Sequence, residues 1–176
     1  MVTALLIGGM LSACKQGNVF FVNGTIEGAA GDTLYLEQRA LGGITLLDSA
    51  ILKDKGTFSF KQQAPGNPEF YQLRLGNRVV AFVIDSTETL HVTANATDLY
   101  HSFSVADSPV NNQLREVDER VQQTALRINS LGNRHKRAEI DDMTFLAQLD
   151  STLQNYKDNI SRMILGNPGS AVAYYA

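Results

Sequence analysis

Between Val19 and Val105, short runs of alternating apolar and polar residues are separated by Gly, Asn, Asp and Pro. Such alternation places apolar side chains on one face of a strand and polar side chains on the other. The runs recur at roughly the 8–12-residue spacing that is typical of all-β sandwiches and barrels. The pattern predicts a mainly β fold, an antiparallel β-sandwich of about eight strands.

The first four runs are predicted to form two pairs of strands. VFFVNGTI places Phe20, Val22 and Ile26 on one face, and a turn over residues 28–31 leads to TLYLEQ. The runs ITLLDSAIL and GTFSFKQ flank residues 53–56 and are predicted to pair, because a glycine can adopt the positive φ of a bulged hairpin turn.

The clearest hairpin signal is the pair EFYQLRL and RVVAFVI, separated by Gly76 and Asn77. Gln72 and Arg74 are predicted to face solvent, and the alternate residues to face inward, namely Tyr71, Leu73 and Leu75. The apolar return strand, residues 79–84, is predicted to be central and covered on both faces. TLHVTA and YHSFSV complete the set of strands.

From Ser108 the apolar period changes from two to about 3.6, which predicts a helix with Ser108 as its N-cap and Pro109 at its first position. Gly132 and Asn133 are predicted to end this helix. Its apolar stripe consists of Val110, Leu114, Val117, Val121, Ala125, Ile128 and Leu131.

A second helix is predicted from about Asp141 to Leu165, and the acidic pair Asp141–Asp142 is favoured at its N-terminus by the helix dipole. Its heptad stripe consists of Leu146, Leu149, Leu153, Tyr156, Ile160 and Met163. Residues 166–168 break it, and Ser170 is predicted to cap a third helix. The two long helices form an antiparallel α-helical hairpin whose stripes pack on the sandwich or, alternatively, form a seam between two copies of a homodimer.

The N-terminal residues 1–13 are uncharged and apolar, but too short for a membrane span of about 20 residues. They are typical of a secretory signal, although it has no basic residue before Leu11. The run Leu11-Ser12-Ala13-Cys14 resembles a bacterial lipobox, which predicts lipid attachment at Cys14 and a location in the cell envelope, periplasmic or associated with the outer membrane. A buried free cysteine is the alternative.

The remaining composition gives little indication of chemistry. The chain has 15 basic and 18 acidic residues, so we expect no nucleic-acid partner. The basic residues 134–137 are interpreted as a solvated loop, with anionic lipid as the alternative. The three histidines lack metal-ligand spacing, and we expect His91 in a strand, His101 at a strand edge and His135 in the connection between the helices. The pairs Asp48-Ser49 and Asp85-Ser86 lack a paired base. We therefore predict no catalytic residue, no cofactor and no metal site.

Several segments together resemble a known family: FFVNGTIEGAAGDTLYLEQ, LLDSAILKDKGTFSF, PEFYQLRL, FVIDSTETLHV and NPGSAVAYYA, with the lipobox before them. They are similar to the N-terminal domain of unknown function, DUF4369-type, that precedes a thioredoxin-like AhpC/TSA module in TlpA/ResA-type thiol:disulfide oxidoreductase lipoproteins. That module carries a Trp-Cys-x-x-Cys active site, and no position here matches it, since Cys14 is the one cysteine.

The resemblance implies a non-catalytic accessory or spacer domain that positions a C-terminal thioredoxin-like module. The expected organisation is a signal peptide (1–13), a lipid-anchored linker (14–18), the sandwich (19–107), the helical hairpin (108–166) and the start of a connection to the module (167–176). A free-standing envelope lipoprotein that binds a peptide, glycan or partner protein through the sandwich is the alternative. A self-contained hydrolase is a third, weaker hypothesis.

Overall fold

The computed structural model describes residues 18–175, so Cys14 and the signal segment lie outside the described residues. Eight strands form two four-stranded sheets, as predicted. The strands are β1 (Val19–Glu27), β2 (Thr33–Ala40), β3 (Gly43–Ile51), β4 (Thr57–Gln63), β5 (Glu69–Leu75), β6 (Arg78–Ile84), β7 (Thr89–Asn95) and β8 (Ser104–Ala106). The helices are α1 (Leu99–Ser102), α2 (Pro109–Lys136), α3 (Asp142–Gly166) and α4 (Ala171–Tyr175).

The strand order is β4-β1-β7-β8 in the first sheet and β3-β2-β5-β6 in the second sheet. Every pairing is antiparallel except that of β1 with β7, which is parallel and sets Val22 opposite Leu90. The predicted inward set of β1 is confirmed, since Phe20, Val22 and Ile26 are fully buried. Phe20 lies 5.1 Å, centroid to centroid, from Tyr71 of the second sheet, so the two sheets share one aromatic core.

Both predicted strand pairs, β1 with β2 and β3 with β4, are wrong, because in each pair the two strands belong to different sheets. β3 pairs with β2, and that pairing continues to Leu52, whose backbone N–H donates to the Asp32 carbonyl at 2.8 Å. The chain then turns at Gly56, with φ of 76°, and β4 joins β1. A Cβ at Gly56 would overlap the carbonyl oxygen of Ile26, so this glycine sets a corner between the sheets and not a hairpin.

The β5–β6 hairpin is confirmed, and Tyr71, Leu73 and Leu75 face the core as predicted. Two details differ from the prediction. β6 is an edge strand and not a central one, although Phe82, Val83 and Ile84 are fully buried on both of its faces. Gln72, predicted to face solvent, is only 4% exposed, because its amide is hydrogen-bonded to a neighbouring glutamate on the same face.

The segment YHSFSV is only partly a strand. Asp98 accepts a hydrogen bond from the backbone N–H of His101 and caps α1, so residues 99–102 are helical and only residues 104–106 extend as β8. A short polar side chain just before the segment therefore overrides the β propensity of its residues.

Helix α2 begins at Pro109 as predicted, but Ser108 makes no capping hydrogen bond with its side chain. The helix also continues through Gly132 to Lys136, since one glycine inside a helix costs only about 1 kcal/mol relative to alanine. It ends where Ala138 adopts a left-handed φ of 57°. There the Glu139 N–H donates to the Arg134 carbonyl and the Ala138 N–H donates to that of His135, which is a Schellman motif.

Helix α3 matches its prediction closely at both ends. The Asp141 side chain accepts a hydrogen bond of 2.7 Å from the backbone N–H of Thr144 and is the N-cap. At the other end α3 stops at Gly166, with Asn167 as its C-cap. The hydroxyl of Ser170 then caps α4 by accepting a hydrogen bond of 3.1 Å from the Ala173 N–H. The predicted stripe is wrong in part, because Leu146 and Leu153 are exposed.

A second apolar core fixes the helices to the outer face of the second sheet, the face that turns away from the first sheet. Its buried residues come from β6, α2, α3 and α4, namely Val83, Leu114, Val117, Ile160 and Val172. Tyr175 also donates a hydrogen bond of 2.8 Å to the Asp118 carboxylate of α2. No helix of residues 18–175 is long and apolar enough to cross a membrane.

The side chain of Asn111 closes the free edge of β6. Its Oδ1 accepts from the Val83 N–H at 2.7 Å, and its Nδ2 donates to the Val83 carbonyl at 3.0 Å. The same Nδ2 donates to the Ser108 hydroxyl at 2.8 Å, so this hydroxyl contacts a side chain of α2 and not a backbone N–H at the start of the helix. One buried amide thus replaces a neighbouring strand and attaches α2 to the sandwich.

We predict that Asn111→Ala lowers the free energy of unfolding by about 2–4 kcal/mol, because it leaves two buried backbone groups of Val83 unpaired. Chemical denaturation measures the change. The matched control is Asn112→Ala, at an exposed position on the same helix, for which we expect less than about 0.5 kcal/mol. Equal losses for the two variants would contradict the role of the Asn111 amide.

Candidate functional site

The outer face of the second sheet carries a polar array between β2 and β5. Glu37 is opposite Gln72, and Tyr35 is opposite Arg74. The Arg74 guanidinium donates from Nε at 2.8 Å and from Nη2 at 2.6 Å to Glu37 Oε1, and Gln72 Nε2 donates to Oε2 at 2.6 Å. Both carboxylate oxygens are therefore occupied, as a buried charge requires.

The charges of this array are fixed by their hydrogen bonds. The hydrogen bond from Arg74 lowers the pKa of Glu37 and more than offsets the opposing effect of burial. The Arg74 guanidinium also lies 4.1 Å from the centroid of the Tyr35 ring, which supports it from a second side. The result is a positioned arginine on an open sheet face.

Apolar side chains surround the array on the part of the face that the helices do not cover. Leu46, which is opposite Glu37, is 56% exposed, and Val79, which is opposite Arg74, is 45% exposed. Ile44, in the next row, is 62% exposed. Tyrosine and arginine among aliphatic side chains are typical of the centre of protein interfaces.

An open groove of about 590 Å³ lies at one end of this face, between the tip of the β2–β3 hairpin, the start of β5 and α4. Phe70 forms its floor and lies 5.4 Å from the ring of Tyr175 and 6.3 Å from that of Tyr174. Arg39 lies on its wall and, within residues 18–175, forms no salt bridge. Burial and the Asp118 carboxylate raise the pKa of Tyr175 to about 12, so this phenol remains a hydrogen-bond donor.

The structure does not bring the sequence-predicted candidates together. His91 lies on β7, His101 lies in α1 and pairs with Asp98 at 2.7 Å, and His135 lies in the last turn of α2 and pairs with Asp142 at 2.6 Å. His101 was expected at a strand edge and His135 in the helix connection, so both placements are corrected. Among the described residues there is no group of three or more His, Cys, Asp or Glu that could hold a metal.

The two serines are bonded to neighbouring carboxylates. The Asp48 carboxylate accepts from the backbone N–H of Ser49 at 2.8 Å, and the Ser86 hydroxyl donates to Asp85 at 2.9 Å. Both are local interactions between neighbouring residues, within β3 for Asp48 and Ser49 and after the end of β6 for Asp85 and Ser86. The basic segment 134–137 is the last turn of α2 and its cap, where Arg134 and Arg137 pair with Glu139.

Sequence reasoning missed Glu37, Arg39 and Asn111 as notable residues. Glu37 and Gln72 both fall at polar positions of alternating strands, which predicts solvent exposure, and their contact depends on a pairing between strands that are distant in the chain. The sequence contains only a weak indication for Asn111. An amide on the buried face of a helix normally has a hydrogen-bond partner, but the sequence does not identify that partner.

This architecture defines the protein as a two-sheet β-sandwich with a packed helical layer. Residues 20–114 match the family described as "Domain of unknown function (DUF4369)", which is more than half of the chain, and the chain belongs to that family. The family description names no activity.

A search of curated proteins finds no match. Among solved structures, one match is a crystal structure from Bacteroides ovatus described as a "putative cell adhesion protein", with 10% identity and a TM-score of 0.31. The match covers 52% of this chain and 43% of the Bacteroides ovatus chain, so this chain spans less than half the length of that protein. Similarity at this level supports no conclusion about function.

We predict that Glu37 stabilises the fold above its ordinary pKa of 4.5 and that this contribution is lost as the pH falls through the lowered pKa of the folded state. The difference in unfolding free energy between the wild type and Glu37→Gln is therefore expected to be largest near pH 7 and to shrink toward pH 3. Urea denaturation across this range measures it. Glu27→Gln, on the exposed end of β1, is the control and should show no comparable trend.

Proposed function

We propose that this chain is the non-catalytic accessory and spacer domain of a membrane-tethered thiol:disulfide oxidoreductase lipoprotein, and that it positions a C-terminal thioredoxin-like module. Membership in the DUF4369 family agrees with the coarser part of this proposal, a domain without an assigned reaction. The resemblance of the segments from the lipobox to NPGSAVAYYA supports the finer part.

The observation that carries the proposal is the second core. A spacer can set the position of another module only if its own parts do not move relative to one another. Val83 of β6, Leu114 of α2 and Val172 of α4 are each 3% exposed or less and belong to one cluster. The last described helix is therefore packed on the sandwich, so its direction is fixed by a core and not by a flexible linker.

The proposed anchor would hold the domain close to a membrane. β1 begins at Val19, five positions after Cys14. Even a fully extended linker of this length reaches at most about 18 Å. A lipid at Cys14 would thus keep the sandwich within one domain diameter of the headgroups, in an extracytoplasmic compartment.

The module is tested by reading the coding sequence beyond codon 176. We expect an open reading frame of about 150 residues, a typical domain length, that contains a Cys-x-x-Cys motif. A frame of that length without the motif, or a stop codon, would refute the proposed oxidoreductase.

The anchor is tested separately by metabolic labelling with radioactive palmitate in the native host. We expect label on the wild-type protein and none on Cys14→Ser, because that cysteine is the only thiol of the chain. A matched control is Ser12→Ala, which keeps a small residue before the cysteine and should still be labelled. Equal labelling of wild type and Cys14→Ser would exclude the anchor.

The groove of Phe70, Arg39 and Tyr174 favours a second candidate function, a free-standing envelope lipoprotein that binds a peptide, glycan or partner protein. Its volume is within the range of roughly 300–1,000 Å³ that is usual for ligand sites, and an aromatic lining with a charged side chain is typical of such sites. The same reading of the coding sequence separates the two, since a stop codon directly after codon 176 favours this alternative.

A further inference from the structure

The first half of α3 has an apolar face that nothing in the described structure covers. Leu146 is 60% exposed and Leu153 is 46% exposed, while Leu149 between them is half-buried. We call these three residues the leucine strip. An amphipathic helix normally buries such a stripe against another element.

The leucine strip continues the apolar stripe that is buried further along the same helix. Ile160 follows Leu153 by seven residues and is 6% exposed, because it packs in the second core with Val83 and Leu114. In the first half of α3 the buried contact with α2 is made instead by Thr152, which is 5% exposed. The helical hairpin therefore extends beyond the part that packs on the sheet. The apolar stripe of α3 is buried in the second core at Ile160 and exposed to solvent at the leucine strip.

Charged residues flank the leucine strip with a symmetric spacing. Asp142, Leu146, Leu149, Leu153 and Lys157 follow one another at steps of four, three, four and four, so they lie along one side of α3. About a midpoint between residues 149 and 150, Leu146 is the counterpart of Leu153, and Asp142 is the counterpart of Lys157. The two charges are about 22 Å apart along the helix axis.

We propose that the leucine strip is a homodimer interface, in which α3 packs antiparallel against α3 of a second copy. This arrangement sets Leu146 against the partner's Leu153 and Asp142 against the partner's Lys157, twice, by symmetry. A parallel arrangement would instead place like charges together, so the charge pattern selects both a second copy and its direction.

Asp142 and Lys157 are both accessible for ion pairs with a second copy. The Asp142 side chain is 89% exposed and is contacted on one side by His135 of its own chain. Lys157 is exposed and, within residues 18–175, forms no salt bridge. The interface requires neither the lipid at Cys14 nor a C-terminal module, so it stands independently of the proposed function.

The first experiment measures mass by light scattering and sedimentation, using the chain from Lys15 to Ala176, which contains every strand and helix of both cores. Between about 1 and 100 µM we expect a monomer–dimer equilibrium. Leu153→Glu should give a monomer throughout, whereas Leu126→Glu, at a position of α2 that is 68% exposed, should dimerise as the wild type does. Far-UV circular dichroism confirms that both variants are folded.

The second experiment tests the register. Lys157→Asp and Asp142→Lys should each weaken self-association at least several-fold, because each creates two like-charge contacts across the two-fold axis. An equimolar mixture of the two variants should associate as a heterodimer at wild-type strength or better, because both contacts become attractive again.

A wild-type chain that stays monomeric up to about 100 µM, where weak small interfaces associate, would overturn the proposal and leave the strip to a different partner. A dimer that survives Leu153→Glu would also overturn it. Failure of the mixed charge variants to associate would refute the antiparallel register.

Discussion

The fold depends on helix α2 burying Val83 of β6, because this helix contacts both the side chain and the backbone of that residue. Its side chain enters the second core between α2 and α3, and its backbone N–H and carbonyl are both bonded to the amide of Asn111. An edge strand normally leaves such groups to water, and burying them without partners would cost several kcal/mol. Because one turn of α2 meets both needs, the position of the helical layer on the sandwich is specified by geometry as well as by apolar area.

Two of the other edge strands, β8 and β3, are protected by different means. β8 has only three residues. β3 contains a bulge at Leu47. The next residue, Asp48, is opposite the core residue Leu36, and its carboxylate accepts a hydrogen bond from Gln62 of β4. An irregular edge strand with an inward acidic side chain is a poor template for another strand. Strand addition at the β3 edge is therefore disfavoured.

The sequence pattern predicted those features that depend on neighbouring residues. Alternation located the strands, the pair Gly76–Asn77 located a hairpin, and Asp141 and Ser170 located two helix starts. The pattern failed where the outcome depends on distant parts of the chain. Whether Gly56 forms a hairpin turn or a corner between the sheets depends on the Ile26 backbone next to it. Whether Gln72 is exposed to solvent depends on Glu37, which lies 35 residues away in the chain. For the same reason the apolar stripe of α3 predicted a buried face but not which half of it the sheet would reach.

The parallel pairing of β1 with β7 has a mechanical consequence under the proposed lipid anchor at Cys14. β1 is held on both sides, by β4 from Val19 to Thr25 and by β7 from Phe21 to Glu27. A pull on the residue before Val19 acts along the strand, so both ladders of hydrogen bonds resist it in shear, and they must break together instead of one after another. In the proposed anchored protein, the strand nearest the lipid is thus held by two hydrogen-bond ladders, which suits a position that carries a load.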